Sequence, residues 1–396
     1  MRYTAEMVAP AIVKRAWWST LLIFLIHGIA VSTWVSRIPT IQANLRLNNG
    51  VLGVALLGAA LGSIFSIPLT GFLVNRYGSK KVTAVSTICF CFALLPIPTA
   101  SNAVTLALAL VLFGALAGMM DVAMNAQGVE VEKRLGTPTM SRFHGFFSAG
   151  GMIGAGIGAL VAARQVPPAL HFATAAAPLL TLALLTVPHM LETHSGEMPV
   201  HEHRVPFSQM PRVLFALSAI SFCILLSEGA MADWTGVYLR QILAAGPGTA
   251  AAGYAVFSAA MATFRLLGDM ITLRLGSVGT VRTGGLVAAA GLTCALCAQS
   301  PGWALPGFAA AGAGFSVIVP LVFGAGGRVG GVSAGAGIAT VTGLGYIGFL
   351  VGPPTIGFTS QLITLRYALG IVVLLCLLAA KLSSSVATPV AQEVTA

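Results

Sequence analysis

A small set of polar side chains interrupts apolar stretches of this sequence: His27, Asp121, Asn125 and Glu228. Asp121 and Asn125 are four residues apart, so they share one face of a helix. A carboxyl group surrounded by hydrocarbon disfavours its charged form, and an imidazole titrates near neutral pH. We therefore predict that these residues line a cavity or carry protons. The alternatives are a fixed brace for Asp121 and a pair of satisfied polar groups for His27 and Glu228.

A second feature is a short basic turn, Gly-Phe-Leu-Val-Asn-Arg-Tyr-Gly-Ser-Lys-Lys, between two long apolar runs. Its glycines permit a tight turn, and its cations disfavour hydrocarbon. A shorter copy, Arg-Leu-Gly-Ser, follows 198 residues later, which is half of the 396-residue chain. We predict that the two turns form a cytoplasmic gate. Its residues are Gly71, Asn75, Arg76, Gly78, Lys80, Lys81, Arg274 and Gly276.

Arg37 and Asp233 lie near the ends of two other apolar runs. Opposite charges at these positions predict an outer latch formed by an ion pair. The alternative is that each side chain is solvated independently at the level of the lipid headgroups.

The sequence contains no constellation typical of a soluble enzyme, neither a phosphate-binding glycine loop nor standard metal-ligand spacing. The histidines at 194, 201 and 203 fall in a polar stretch whose spacing matches no standard zinc site, so a solvated linker is predicted there. We expect no enzymatic activity, no metal and no cofactor. We expect no nucleic-acid partner either, because the net charge of +10 is explained by how the cations are distributed along the chain.

Composition identifies an integral membrane protein. The chain is 57% hydrophobic and only 8% charged, whereas soluble domains carry about 25% charged residues. Continuous apolar runs of 18 or more residues predict transmembrane helices, and the alternation typical of a β-barrel is missing. Twelve spans are predicted, at 17–36, 50–74, 82–99, 103–126, 143–163, 169–187, 213–232, 249–271, 283–298, 302–323, 332–358 and 363–382.

The distribution of lysine and arginine predicts the orientation. With the N-terminus inside, sixteen cations fall in cytoplasmic segments and five outside, in agreement with the positive-inside rule. Both termini are therefore expected in the cytoplasm.

An internal repeat predicts the domain organisation. Besides the two basic turns, Gly114 corresponds to Gly312, and Gly150 to Gly348. We predict two six-helix halves, 1–188 and 213–396 with a short disordered tail, joined by a cytoplasmic linker at 189–212. Such parallel repeats are typical of transporters that bind substrate between their halves, near the middle of the bilayer.

The basic turn resembles the signature loop of the major facilitator superfamily, with Gly71, Arg76, Gly78 and Lys80 at matching positions. Asn75 occupies the place of an acid that helps to lock one gate in the family. The stretches at 121–128, 143–150 and 228–234 look like those of bacterial permeases of the fucose–proton symporter-like branch.

The resemblance implies a fold of twelve helices in two halves related by a pseudo-two-fold axis, with the first, fourth, seventh and tenth helices around a central cavity. It implies symport of a small polar solute, such as a sugar, with protons, by a monomer in the bacterial inner membrane. Members of that branch use buried acids for coupling, whereas the first span here offers His27.

Two other functions remain open. A drug– or metabolite–proton antiporter typically has a Gly-Pro step in its fifth span and an arginine in its fourth, and neither is present here. A membrane receptor without transport activity is the third possibility.

Overall fold

A computed structural model describes residues 10–192, 211–330 and 332–387, and within these ranges the chain is helical, with no strand. The histidines at 194, 201 and 203, most of the predicted linker and the end of the predicted tail lie outside the described residues.

The first half of the described chain forms seven helices, because long apolar runs satisfy their backbone hydrogen bonds internally. They are α1 (Pro10–Val35), α2 (Ile38–Asn44), α3 (Asn49–Tyr77), α4 (Ser79–Ala93), α5 (Ala103–Leu135), α6 (Met140–Ala163) and α7 (Pro168–Thr186).

Eight further helices follow. They are α8 (Arg212–Gln241), α9 (Pro247–Leu266), α10 (Gly268–Cys297), α11 (Pro301–Phe315), α12 (Ile318–Gly326), α13 (Ala334–Leu362), α14 (Leu365–Ala368) and α15 (Gly370–Lys381). Several of the predicted spans are thus built from two helices in succession.

Eleven helical stretches in the described part of the chain are long and apolar enough to cross a membrane. The remaining predicted span, the eighth, corresponds to α9, a 20-residue helix that is not among these eleven stretches. The predicted all-helical membrane fold is therefore confirmed.

The boundaries of the eighth and ninth spans differ from the prediction. The eighth was expected to run unbroken over 249–271, but α9 ends at Leu266 and α10 begins at Gly268. The expected loop before the ninth span is helical except at Gly276, which has φ 68° and ψ 165° inside α10. The break is short because a glycine at positive φ reverses the chain at a single residue.

Polar side chains define where several helices begin. Asn48 accepts a hydrogen bond from the Val51 amide at the start of α3, and Asn102 forms a capping box with Thr105 at the start of α5. The carboxylate of Glu132 accepts from the amide of Met140, at the first turn of α6. These bonds satisfy amides that have no partner within the helix.

The helices pack into two compact units. One comprises the described residues up to 192 with Ala245–Ala255, and the other comprises the remaining described residues. The division at 1–188, 189–212 and 213–396 stays a prediction.

Within each unit, helices approach closely at glycines that occupy equivalent positions of the repeat. A Cβ atom on Gly114 would lie 1.9 Å from the carbonyl oxygen of Ala59, and one on Gly312 would lie 2.2 Å from that of Phe257. Ala59 and Phe257 are themselves 198 residues apart. The same helix contact, with no room for a side chain, is therefore built twice.

Candidate functional site

Asp121 and Asn125 lie on one face of α5 and are both half-buried. The side-chain amide of Asn125 donates to the backbone carbonyl of Asp121 at 2.8 Å and to its Oδ1 at 3.2 Å. Asn125 therefore holds one carboxylate oxygen in place while the carboxyl group keeps acceptor capacity for a proton or a ligand.

His27 is buried in the first unit among aromatic rings. Its ring centroid lies 5.2 Å from that of Phe90 on α4 and 5.4 Å from that of Phe147 on α6. Its Nδ1 has no hydrogen-bond partner among the described residues, and His144 is its electrostatic neighbour. The sequence prediction did not pair these two histidines, because they lie on different helices far apart in the chain.

Glu228 lies on α8 in the second unit, half-buried, and its Oε1 has no hydrogen-bond partner within the described ranges. The cation that interacts with it electrostatically is Arg265, near the end of α9. Arg265 also donates from Nε to the carbonyl oxygen of Ser316 at 3.1 Å, where the chain passes from α11 to α12. Arg265 was not among the predicted site residues, although a cation inside an apolar span is a signal that could have identified it.

The basic turn of the first unit is shorter than predicted. Gly71 lies inside α3, with open space around the position of a Cβ atom, and the chain reverses only at Gly78. Gly78 has φ 82° and ψ 153°, a conformation essentially restricted to glycine. The equivalent Gly276 has nearly the same dihedral angles, so both copies of the turn depend on one glycine each.

Buried hydrogen bonds fix this turn to the rest of its unit. Ser79 donates to Oε1 of Gln127 at 2.6 Å, and Gln127 donates to the carbonyl oxygen of Leu191 at 3.2 Å. Lys80 forms an ion pair with Glu192 at 2.9 Å. The turn is thereby joined to α5 and to the segment that follows α7.

The other predicted gate residues differ in their surroundings. Arg76 lies over the ring of Tyr77, with Cζ 5.5 Å from the ring centroid, whereas Lys81 is exposed. The buried Oδ1 of Asn75 has no hydrogen-bond partner in the described part of the chain. Arg274 is exposed at the end of the helical turn before Gly276.

The two residues of the predicted outer latch, Arg37 and Asp233, belong to different units. Arg37 is only 2% exposed and donates from Nη2 to the carbonyl oxygen of Val166 at 2.5 Å, and His171 is its electrostatic neighbour. Asp233 is half-buried on α8. The pairing of Arg37 with Asp233 stays a prediction, as do the roles of the other site residues.

Comparisons with known proteins agree over most of the chain. The family model of the Major Facilitator Superfamily matches residues 20–334. An uncharacterised MFS-type transporter of Yersinia pestis is 38% identical over 375 residues, which cover 94% of this chain and 95% of the relative.

Solved structures share the fold at low identity. A bacterial homologue of the human lysosomal transporter Spinster superposes with a TM-score of 0.77 and 12% identity, covering 95% of this chain and 97% of that one. The Escherichia coli fucose:proton symporter FucP superposes with a TM-score of 0.62 and 16% identity, covering 94% and 98%.

Proposed function

The chain belongs to the Major Facilitator Superfamily, so it is a membrane transporter and not an enzyme, and we propose that it couples transport of a small polar solute to protons. The solute class is a sugar or a related metabolite. Transport proceeds by alternating access, in which the binding site is exposed to one side of the membrane at a time.

One observation carries the proposal: Glu228 lies inside a long apolar helix with a buried carboxylate oxygen that has no hydrogen-bond partner among the described residues. An isolated charge is expensive there, so such a group is retained for function and readily binds a proton. Arg265 supplies a cation that favours release of this proton when the two side chains approach each other.

Two features of the first unit support proton coupling. Asp121 has only the amide of Asn125 as a hydrogen-bond donor in the described contacts, and His27 has an unpaired Nδ1. FucP, which shares the fold, is a fucose:proton symporter. At 16% identity that likeness supports the architecture, and the coupling itself is inferred from the buried ionisable residues.

The same proposal sets the location and the partners. We place the protein in the bacterial inner membrane, with both termini in the cytoplasm, as a monomer surrounded by lipid. Its partners are the solute and protons.

The test begins with a probe chosen by ligand-induced thermal stabilisation of the purified protein, with L-fucose and other monosaccharides compared against lipophilic cations. Protein reconstituted in liposomes with a trapped pH-sensitive dye then receives a gradient of the stabilising probe, without an imposed pH gradient. Inward movement of the probe acidifies the lumen in a symporter and makes it alkaline in an antiporter.

Luminal acidification that depends on a sugar and is absent from protein-free liposomes is the expected result. Alkalinisation by a lipophilic cation would assign the protein to the antiporters. Binding without flux of any probe would favour a receptor, and flux without a pH change would exclude proton coupling.

A further inference from the structure

The second unit contains an apolar groove of about 150 Å³ between α9, α10 and α11. Its apolar lining includes Phe264, Ile271, Leu275, Val287 and Val317. A cavity of this volume accommodates a group of the size of benzene. The groove therefore has room for a short run of methylene groups.

Two positions that line the groove carry different residues from their counterparts in the first unit. At positions 198 residues earlier, the first unit has Leu116 in place of Gly314 and Val82 in place of Thr280. Val82 belongs to a buried apolar cluster there, whereas Gly314 and Thr280 line the groove in the second unit. At these two positions the groove thus carries a smaller and a more polar side chain than the first unit does.

The surface around the groove is apolar and exposed. Leu266 is 74% exposed and Leu273 is 88% exposed, on segments next to Phe264 and Leu275. In a protein that crosses a membrane, side chains of this kind contact lipid tails rather than water.

A cation, Arg274, is adjacent in sequence to a residue that lines the groove. Arg274 directly precedes Leu275, is exposed, and makes no hydrogen bond or ion pair with any residue of the described ranges. Its counterpart Arg76 differs, because it lies over the ring of the next residue, Tyr77. The residue that follows Arg274 is Leu275, which has no ring. Arg274 is thus available to an external anion.

We propose that this groove binds an acyl chain of an anionic phospholipid whose phosphate pairs with Arg274. The apolar lining matches the chain, and the unpaired guanidinium matches the headgroup. The proposed lipid site does not require proton coupling, although it adjoins Arg265, whose Nε donates to the carbonyl oxygen of Ser316 in the groove lining.

The test uses the full-length protein, delipidated in a neutral detergent and mixed with phosphatidylglycerol or phosphatidylcholine that carry identical acyl chains. Native mass spectrometry counts the bound lipid. We expect phosphatidylglycerol to be retained about fivefold more than phosphatidylcholine, the value for one cation near an anionic lipid surface.

Two pairs of variants locate the site. Arg274→Gln is expected to abolish the preference for phosphatidylglycerol, whereas Arg76→Gln at the equivalent position keeps it. Thr283→Phe, which places a ring at an exposed edge of the groove, is expected to lower retention of both lipids, whereas Val85→Phe at the equivalent position of the first unit does not. Val287→Phe replaces Thr283→Phe if the latter unfolds at a lower temperature without lipid.

Equal retention of the two lipids by the wild type would overturn the proposal, as would a preference that survives Arg274→Gln. Full retention in Thr283→Phe would place the lipid on another surface. Displacement of phosphatidylglycerol by tetraphenylphosphonium would assign the groove to apolar cations instead.

Discussion

At the scale of single residues, the polar groups within the apolar helices are the ones most directly connected with function. Glu228, Asp121 and His27 each have few hydrogen-bond partners in the described structure, and each lies in a helix long enough to cross a membrane. The cost of such groups in hydrocarbon means that they persist only where they serve transport or hold helices together. These two roles respond differently to a neutral substitution.

The variants Asp121→Asn and Glu228→Gln keep the shape of the side chain but cannot release a proton. We expect both to keep exchange of solute across the membrane, and at least one to lose accumulation driven by a pH gradient. Liposomes that contain the protein and the probe identified by thermal stabilisation allow exchange and pH-driven accumulation to be measured in parallel.

Glu130→Gln is the matched control for these variants. Glu130 pairs with Arg134 at 2.6 Å in the last turns of α5, outside the proposed proton groups, so accumulation is expected to remain. If Asp121→Asn and Glu228→Gln both accumulate solute with the normal pH dependence, neither residue carries the proton. His27 or a sodium-coupled mechanism would then remain.

At the scale of helices, close packing at glycines determines which helices approach each other. A Cβ atom on Gly150 of α6 would lie 2.4 Å from the carbonyl oxygen of Leu25 on α1, whereas one on the adjacent Gly151 would meet nothing within 4 Å. Two neighbouring glycines on one helix thus differ in whether a methyl group fits.

Gly150→Ala is expected to lower stability by about 1–3 kcal/mol, because the added methyl group meets a backbone carbonyl that a side-chain rotation cannot move. Gly151→Ala is expected to be neutral or stabilising by up to about 1 kcal/mol, because alanine favours a helix over glycine. Unfolding temperatures of the purified variants in one detergent provide the comparison. Similar losses for both would show that α1 and α6 are not packed as described.

The basic turn between α3 and α4 is the element in which we expect a purely kinetic effect. Arg76→Ala removes a cation that lies over Tyr77, at a turn joined to α5 through Ser79 and Gln127. We expect slower transport with nearly unchanged equilibrium binding of the probe, because the turn is proposed to act in switching and not in solute contact. Arg76→Lys should recover part of the rate. Loss of binding in a correctly folded Arg76→Ala protein would contradict the gate assignment.

At the scale of the whole molecule, the repeat of 198 residues appears in the structure of each unit. Gly78 and Gly276 share a backbone conformation, and Gly114 and Gly312 make equivalent contacts. The units differ where function is proposed: Glu228 interacts with Arg265, while His27 is surrounded by aromatic rings and His144. A repeated scaffold therefore carries different polar groups in its two copies.

The orientation in the membrane gives a prediction for the complete chain. A reporter that is active only outside the cell, inserted at Gly196 in the predicted linker, is expected to be inactive, because the cations of the sequence favour a cytoplasmic linker. The same reporter inserted at Arg164, between α6 and α7, is expected to be active. The reverse pattern would invert the topology.

The sequence by itself determined the helical membrane fold, the repeat and the family, because hydrocarbon requires long apolar helices and the basic turn has a recognisable spacing. It also identified Gly78 and Gly276 as turn residues. The structure shows that both adopt dihedral angles that only glycine tolerates. Tertiary structure decided which groups meet. The interaction of Arg265 with Glu228, that of His144 with His27 and the groove next to Arg274 all arise between different helices, and no local periodicity encodes such contacts.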